Sequence, residues 1–285
     1  MGRRRMRVNP NAVEQRAAEG RGRGTGRNYR PWLDVRTVPS CGLSSRIPGR
    51  TVGRVHHVFS RLEADCFYLL DFNPAVVDIR EQFPLLPLDA TRGIAVDRGY
   101  RHPAKPVTRE DVVMTTDFVV TVRRPSGDVA DVAIACKPAA HLLDNRTLEK
   151  LDIERLYWAT RGVPWGVVTE RELPRPTVDS VRWILSVGDP AGVVAPERID
   201  RLTDHLRARI GDAPDTPLAD VCAAEDDRCG LAPGSCLTLA RHALATRRWA
   251  VDLADPRTAV RPDRPMPPLL ARAPVLLPPT AMGGR

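Results

Sequence analysis

The sequence lacks the features that mark membrane proteins, secreted proteins and proteins with structural zinc sites. It has no run approaching the roughly 18 uninterrupted apolar residues that a membrane-spanning helix needs. Its N-terminus is positively charged, but no apolar segment follows, so no secretory signal is predicted. The six cysteines form no C-x-x-C pair, which argues against disulfide or metal roles for them. We therefore expect a cytoplasmic protein with reduced thiols and no membrane partner.

Acidic residues are scarce at the start of the chain. Residues 1–30 hold nine arginines and two glutamates, a balance of +7 within a total formal charge of +8, so the remaining 255 residues carry about +1. The segment is rich in Gly and Arg and poor in apolar residues, which predicts a disordered basic arm. A basic arm on a near-neutral body indicates sequence-independent contact with DNA phosphates. The alternative is a tail that only keeps the protein soluble.

Residues 31–189 alternate strand-like and helical patterns. Two β-branched runs, at 112–122 and 129–136, flank the sequence Pro-Ser-Gly-Asp at 125–128, which predicts a hairpin turn. We expect a mixed α/β domain with helices packed on a central sheet. The other predicted elements of this domain are helices at 60–71, 146–161 and 177–187 and strands at 76–79 and 166–168.

Residues 190–254 have a mainly helical pattern. Helices are predicted at 196–210, 217–224 and 235–248, followed by a short strand, WAVDL. This size and order suit a small helix-turn-helix or winged-helix-like module. Residues 255–285 contain eight prolines in 31 positions, so a flexible tail is predicted.

Three residues form a constellation that suits phosphodiester hydrolysis. Asp117 lies in the first β-branched run, Lys137 ends the second, and Glu63 lies on the preceding predicted helix. Antiparallel pairing through the turn would bring Asp117 and Lys137 together. The two acids would hold a hard cation such as Mg²⁺, which lowers the pKa of a bound water. The lysine would orient or deprotonate that water.

Each of these residues also has an alternative interpretation without catalysis. Ser60 and Glu63 fit a capping box, S-x-x-E, which satisfies amides at a helix N-terminus. Lys137 at a strand end fits a solvated side chain. Asp117 within an apolar strand requires a partner of some kind, because burying an unpaired carboxylate is costly.

Nine short segments stand in a fixed order along residues 31–187. They are VPS-x-G at 38–42, GRVHH at 53–57, S-x-LE at 60–63, DIREQFPL at 78–85, His102-Pro103, MTTDF at 114–118, Lys137-Pro138, RTLEKLDIERLYW at 146–158 and W-x-VVTE-x-ELP at 165–174. In this order they resemble the TnsA family, the endonuclease subunits of heteromeric transposases.

The resemblance implies a restriction-endonuclease-like catalytic domain of the PD-(D/E)xK type, followed by a winged-helix-like C-terminal module. It implies that Glu63, Asp117 and Lys137 are catalytic and that the acids hold Mg²⁺, for which Mn²⁺ substitutes. The implied reaction is cleavage of the 5′ (non-transferred) strand at transposon ends. The implied partners are double-stranded DNA, an integrase-like transposase subunit and an AAA+ transposition ATPase contacted through the C-terminal region.

One position departs from the family pattern. The family has a glutamine two residues before the lysine, and this chain has Ala135. An alanine side chain neither ligates a cation nor holds a water. The backbone carbonyl of Cys136 remains as a metal ligand, since a carbonyl needs only strand geometry. A catalytically weakened or inactive scaffold therefore stays open as an alternative, as does a stand-alone defence or repair nuclease of the same fold.

Several basic residues are candidates for DNA contacts: Arg54, His56, His57, Arg247 and Arg248. The two adjacent histidines would point to opposite faces of a strand, which argues against a metal pair. The two arginines at the end of the last helix also fit the solvated side of a core helix. Gln82 follows a predicted strand and is a candidate for lining the metal site.

Overall fold

The structure, a computed structural model, describes residues 12–36, 44–253, 255 and 258–270. Residues 1–11, the VPS-x-G segment at 38–42 and residues 271–285 lie outside the described residues. The chain divides into two compact units, and the boundary in the middle of the chain falls between Glu172 and Leu173.

The first unit combines a small hairpin, a larger sheet and several helices. Its strands are β1 Ser45–Pro48, β2 Val55–Val58, β3 Val76–Pro84, β4 Thr115–Arg123, β5 Val129–Cys136 and β6 Trp165–Val168. Its helices are α1 Ala12–Ala18, α2 Arg61–Phe72, α3 Leu88–Asp97 and α4 Asn145–Ala159. The hairpin of β1 and β2, the helices α1 and α3, and most of β3 had no counterpart among the predicted elements.

The central sheet has the strand order β3-β4-β5-β6. The strands β3, β4 and β5 run antiparallel to their neighbours, whereas β6 runs parallel to β5. A parallel neighbour requires a crossover, and α4 lies between β5 and β6 in the chain. The mixed sheet expected of a restriction-endonuclease-like domain is confirmed.

The predicted hairpin of β4 and β5 forms because its turn sequence suits a tight reversal. Gly127 adopts a φ of 95°, a left-handed conformation that costs glycine little. The register pairs Phe118 with Ile134 and continues to Arg123 opposite Val129. This register leaves Asp117 beside the end of β5, where Lys137 follows.

A compact apolar cluster holds the sheet against α4. Its buried members are Leu85, Val119, Ala133, Tyr157 and Trp158. Burying a large apolar side chain contributes roughly 1.5–3 kcal/mol to stability. The cluster therefore fixes β4 and β5, the two strands that carry Asp117 and precede Lys137.

From residue 12 onward the N-terminal arm packs against the first unit, whereas its composition predicted disorder over residues 1–30. Two aromatic side chains anchor it, since Tyr29 and Trp32 are only 3% and 1% exposed. The Tyr29 hydroxyl donates to the carbonyl of Glu81 (3.1 Å), and the Trp32 amide donates to the carbonyl of Gln82 (3.2 Å). Composition predicted disorder because arginine and glycine outnumber these two anchors.

The helix that follows Leu173, α5, belongs to the second unit and not to the first, where the sequence had placed it. Its helices are α5 Arg175–Leu185, α6 Pro196–Asp212, α7 Leu218–Cys229 and α8 Ser235–Ala245. Val178, Val181 and Ile184 of α5 are buried, and Arg241 of α8 donates to the carbonyl of Trp183 at 2.6 Å. The predicted boundary after residue 189 therefore lies too late in the chain, because α5 packs with the helices that follow it.

Residues 258–270, where a flexible tail was predicted, pack within the second unit. Val260 is fully buried, and its amide donates to Ser180 Oγ at 2.9 Å. Leu270 forms an isolated bridge with Ala250, where the sequence predicted a strand. The helical character of the module is confirmed, but within the described residues no hairpin follows α8, so the winged-helix detail stays a prediction.

Among the described residues, no helix combines the length and the apolar character needed to cross a membrane. A cytoplasmic location stays a prediction.

Candidate active site

Asp117 and Lys137 meet at the end of the β4–β5 hairpin, as the sequence predicted. One carboxylate oxygen of Asp117, Oδ2, accepts hydrogen bonds from the amide of Cys136 (2.7 Å) and from Lys137 Nζ (2.9 Å). The same Nζ donates to the carbonyl of Cys136 at 2.9 Å. A carboxylate and a carbonyl thus converge on one positive group, which is the donor set that a hard divalent cation also takes.

The ammonium of Lys137 stays protonated in this arrangement. Burial lowers its pKa, but the charge of Asp117 and the hydrogen bond to it raise the pKa further, so the net shift is upward. A protonated ammonium donates hydrogen bonds and neutralises negative charge, and it does not accept a proton.

Glu63 lies in the first turn of α2 and is 7% exposed. Its amide donates to Ser60 Oγ (3.0 Å), and its carboxylate accepts from Ser60 Oγ (2.9 Å) and from the amide of Phe59 (2.9 Å). The capping interpretation is therefore correct. It does not exclude a second role, because these contacts leave the carboxylate beside the sheet.

The protonation of Glu63 reports its surroundings. Its pKa is raised from 4.5 to about 7, first by burial and second by the negative charge of Asp117. The hydrogen bonds from Phe59 and Ser60 and the charge of Lys137 lower the pKa only in part. Two buried acids thus repel each other here, and a cation between them would relieve the repulsion.

Gln82 lies within β3, where it is 4% exposed. Its Nε2 donates to Glu63 at 3.3 Å, and its Oε1 accepts from Thr115 Oγ1 at 3.2 Å. The backbone has a φ of 49° at this residue. Left-handed backbone costs a non-glycine residue roughly 1–2 kcal/mol. The structure therefore places Gln82 next to an acid of the predicted metal site.

Glu154 belongs to the same region, and the sequence analysis missed it. It lies on α4, is 5% exposed, and accepts hydrogen bonds from Thr116 Oγ1 (2.8 Å) and Trp165 Nε1 (3.0 Å). Burial and then the charge of Asp117 raise its pKa to about 7. The available signal was its position between Leu151 and Trp158 on the apolar face of a helix, where a carboxylate is unexpected.

Ala135 lies inside β5 opposite Val167 of β6 and is fully buried. Its methyl group joins the core and offers no polar atom to a cation. Cys136 is also buried, and its hydrogen bond with the Cys66 thiol, together with burial, raises its pKa. Its backbone, not its thiol, is what faces Asp117 and Lys137.

The structure gives Arg54 and His56, the candidates for DNA contact in the GRVHH segment, a buried carboxylate as their partner. His56 is fully buried, and its Nδ1 lies 2.8 Å from a carboxylate oxygen of Glu81. Arg54 donates from NH1 to the other oxygen of that carboxylate at 2.8 Å, and its side chain is 9% exposed. These contacts lower the pKa of Glu81 to about 2 despite its burial. The GRVHH segment is thus built around a buried ion pair.

The remaining candidates for DNA contact are partly exposed. His57 Nδ1 accepts from the amide of Val35 at 3.4 Å, and burial lowers the pKa of His57. In the second unit, Arg247 lies over the ring of Phe72 at 5.0 Å, and Arg248 pairs with Asp204 at 2.8 Å. Contact of these three residues with DNA stays a prediction.

A second cluster, in the second unit, has metal-ligand residue types. Ligand atoms of His205, Glu225 and Cys229 lie within 4.8 Å of one another. The carboxylate of Glu225 is already engaged, by His205 Nε2 on one oxygen (2.9 Å) and by Arg209 (3.0 Å) and Arg228 (3.1 Å) on the other. Protein cations therefore satisfy this acid, and the cluster has less need of a metal than the one around Asp117.

The first unit has the architecture of a restriction-endonuclease-like domain: a mixed sheet, an aspartate and a lysine on a central hairpin, and a glutamate on the preceding helix. The family model described as TnsA-like endonuclease N terminal matches residues 73–170. The model described as TnsA endonuclease C terminal matches residues 172–253. The chain belongs to the TnsA endonuclease family, and the boundary between the two matched ranges falls next to the boundary between the two units along the chain.

The curated protein named Transposon Tn7 transposition protein TnsA, from Escherichia coli, is 47% identical to this chain over 175 residues. The alignment covers 61% of this chain and 62% of that protein, so the chain spans less than two thirds of the relative's length. Asp117 and Lys137 fall within the first matched range, and Glu63 precedes it.

Proposed function

We propose that this protein is the DNA endonuclease subunit of a heteromeric transposase. It hydrolyses the 5′ (non-transferred) strand at transposon ends during cut-and-paste transposition. The observation that carries the proposal is the convergence of Asp117 Oδ2 and the Cys136 carbonyl on one positive group, with Glu63 buried nearby. The transposition protein that the chain resembles supports the choice of reaction.

The proposed cofactor is Mg²⁺, for which Mn²⁺ substitutes. Asp117, Glu63 and the carbonyl of Cys136 supply oxygen donors, and the raised pKa of Glu63 marks negative charge that the protein leaves partly uncompensated. When bound, the cation lowers the pKa of a coordinated water and shields charge on the phosphate.

Lys137 orients the attacking water and neutralises the scissile phosphate in this proposal. Its raised pKa keeps Nζ protonated, which favours orientation over removal of a proton. The hydrogen bonds from Nζ to Asp117 and Cys136 hold the ammonium at the hairpin end, where both groups lie within 2.9 Å. Removing Lys137 would therefore cost transition-state stabilisation rather than a base.

The proposed partners follow from the same family assignment. The substrate is double-stranded DNA at transposon ends, and an integrase-like transposase subunit cuts the other strand. The helical second unit, matched by the C-terminal family model over residues 172–253, is the proposed contact for an AAA+ transposition ATPase. Basic residues that precede the anchored Tyr29, such as Arg23 and Arg27, are proposed to add phosphate contacts.

A second candidate is a weakened or inactive scaffold of the transposase complex. The observation that favours it is Ala135, whose fully buried methyl group offers no polar atom near Lys137. A stand-alone nuclease is a third possibility, and neighbouring genes separate it, because a transposon subunit lies beside genes for an integrase-like transposase and an ATPase.

Strand-resolved mapping of breaks at the element's ends tests the proposal. The adjacent transposase is supplied with Mg²⁺ or Mn²⁺, and wild type is compared with Asp117→Ala and Lys137→Ala. We expect 5′-strand breaks in the wild type and their loss in both variants, while breaks in the other strand persist. Lys105→Ala, which removes a lysine that pairs with Glu110 at 2.6 Å, is a matched control that should keep the 5′-strand breaks. Identical breaks in all the proteins would favour the scaffold.

A further inference from the structure

We infer that Gln82 is a positioning residue: its amide holds the carboxylate of Glu63 in the orientation that binds the cation. The inference rests on the proposed function, because it assigns Gln82 a task at the proposed metal site. It concerns a residue whose side chain touches Glu63 rather than the reacting phosphate.

The contacts of Glu63 separate into local and long-range ones. Phe59 and Ser60, which immediately precede α2, are close to Glu63 in the chain, and their contacts belong to the cap of this helix. Among the hydrogen bonds of the described residues, the one from Gln82 Nε2 (3.3 Å) is the donor that the sheet supplies to this carboxylate. Gln82 therefore connects the acid on α2 to the sheet that carries Asp117.

The position of Gln82 in the sheet is suited to this connection. The register pairs Glu81 with Phe118 and Phe83 with Thr116, so Gln82 lies between these pairs, opposite Asp117. Its Oε1 accepts a hydrogen bond from Thr115, two residues before Asp117 on β4. The ionised carboxylate of Glu63 only accepts, so it takes the Nε2 end of the amide, and the Thr115 hydroxyl donates to the Oε1 end.

The backbone of Gln82 is held in an unfavourable conformation. Its φ of 49° is left-handed, a region that non-glycine residues seldom occupy inside a strand. The carbonyl of Gln82 accepts the amide of Trp32 at 3.2 Å, and Trp32 is 1% exposed, so the N-terminal segment locks this peptide. Strain of this kind persists where surrounding contacts enforce it, and it is concentrated at functional sites.

The chain offers one matched comparison. Gln15 donates from Nε2 to a carboxylate oxygen of Glu19 at 3.3 Å, the same contact at the same length, but on an exposed helix. Gln82→Leu and Gln15→Leu therefore remove the same hydrogen bond in two settings. Gln82→Asn is a second variant, since asparagine tolerates left-handed backbone and keeps an amide that is one methylene too short to reach Glu63.

The measurement is the Kd of Mn²⁺ for the full chain, from the electron paramagnetic resonance of free Mn²⁺, with urea unfolding in EDTA alongside. Asp117→Ala defines which binding belongs to the proposed metal site. We expect Gln82→Leu and Gln82→Asn to weaken Asp117-dependent binding about tenfold, as loss of a contact to a metal ligand typically does. Gln15→Leu should leave the Kd within about twofold of wild type.

The outcomes distinguish this inference from the proposed function. If Gln82→Asn folds and binds Mn²⁺ as tightly as Gln15→Leu, Gln82 does not position Glu63, while the Asp117-dependent site stands. A loss of stability in EDTA with an unchanged Kd would likewise overturn the inference, because it shows a purely structural role. If Asp117→Ala binds Mn²⁺ as the wild type does, the metal site itself is wrong, and the inference fails with it.

Discussion

Buried glutamates meet different surroundings in the two units. In the first unit, Glu63 and Glu154 each have a pKa raised to about 7, because burial and the charge of Asp117 outweigh their hydrogen bonds. In the second unit, Glu225 is 2% exposed, yet its pKa is lowered, because contacts from His205 and Arg209 overcome burial. The second unit compensates its buried acid with protein cations, whereas burial and the charge of Asp117 dominate at Glu63 and Glu154.

The first unit also contains a buried glutamate that protein cations compensate, so compensation depends on the position of the acid and not on the unit. Glu81 lies on β3, next to Gln82, and is fully buried. Arg54 and His56 lower the pKa of Glu81 to about 2, although burial opposes them. Within the first unit, therefore, an acid held in an ion pair coexists with two buried acids, Glu63 and Glu154, that have hydrogen bonds and the charge of Asp117 nearby. Uncompensated carboxylates identify the candidate active site more sharply than burial does.

The largest effect is expected from breaking the compensated pair at Glu81. Glu81→Gln leaves the guanidinium of Arg54, 9% exposed, without its counter-charge. Removing one partner of a buried ion pair typically costs about 3–5 kcal/mol. Urea unfolding at pH 7 should show this loss of unfolding free energy. An unchanged midpoint of the urea transition would mean that the ion pair does not contribute to stability.

The same pair should stabilise the protein only above acidic pH. The pKa of Glu81 is lowered from 4.5 to about 2, so its contribution is present above pH 4.5 and is lost as the pH falls through 2. Wild type and Glu81→Gln should therefore converge in stability toward pH 2. Parallel stability curves across this range would contradict the assigned pairing.

An effect of opposite sign is expected at Glu63. Its pKa is raised from 4.5 to about 7, so the folded state favours the neutral carboxyl. The stability that this preference contributes is fully present below pH 4.5 and is lost as the pH rises through 7. Without metal, Glu63→Gln should be more stable than wild type at pH 8 by roughly 1–3 kcal/mol. The two should be nearly equal at pH 4.5. A destabilised Glu63→Gln at pH 8 would show that capping dominates.

The smallest effect is expected in the second unit. Glu225→Gln removes the counter-charge of Arg209 and Arg228 and a hydrogen-bond partner of His205, and these side chains are 36%, 53% and 43% exposed, respectively. Solvent screens partners as exposed as these, so we expect a loss of about 1–2 kcal/mol in urea unfolding at pH 7. A loss as large as that of Glu81→Gln would remove the distinction between the two ion pairs.

The sequence predicted those parts of the site that local patterns determine. Asp117 and Lys137 came together because two β-branched runs and a Gly-containing turn specify a hairpin. The capping spacing from Ser60 placed Glu63 at the start of a helix, and the resemblance to the TnsA family assigned it to the site. Gln82 was only a candidate, because its left-handed backbone depends on Trp32, fifty positions earlier in the chain. Long-range contacts of this kind leave no periodic signal.

Other differences between the sequence analysis and the structure also come from long-range contacts. Arg54 and His56 seemed available to DNA because charge in a sequence suggests exposure, and their common partner Glu81 lies on a different strand. Glu154 was overlooked because only the fold brings the apolar face of α4 to Thr116 and Trp165. The boundary before α5 was missed because an amphipathic helix fits either unit until its packing is known.

The most direct measurement is the melting temperature of the protein with and without Mn²⁺ at pH 8. It is compared among wild type, Asp117→Asn and Glu225→Gln. The account predicts that Mn²⁺ raises the melting temperature of wild type and Glu225→Gln alike and has no effect on Asp117→Asn, because a ligand stabilises the state that binds it. A rise that persists in Asp117→Asn and disappears in Glu225→Gln would place the cation in the second unit and contradict the account.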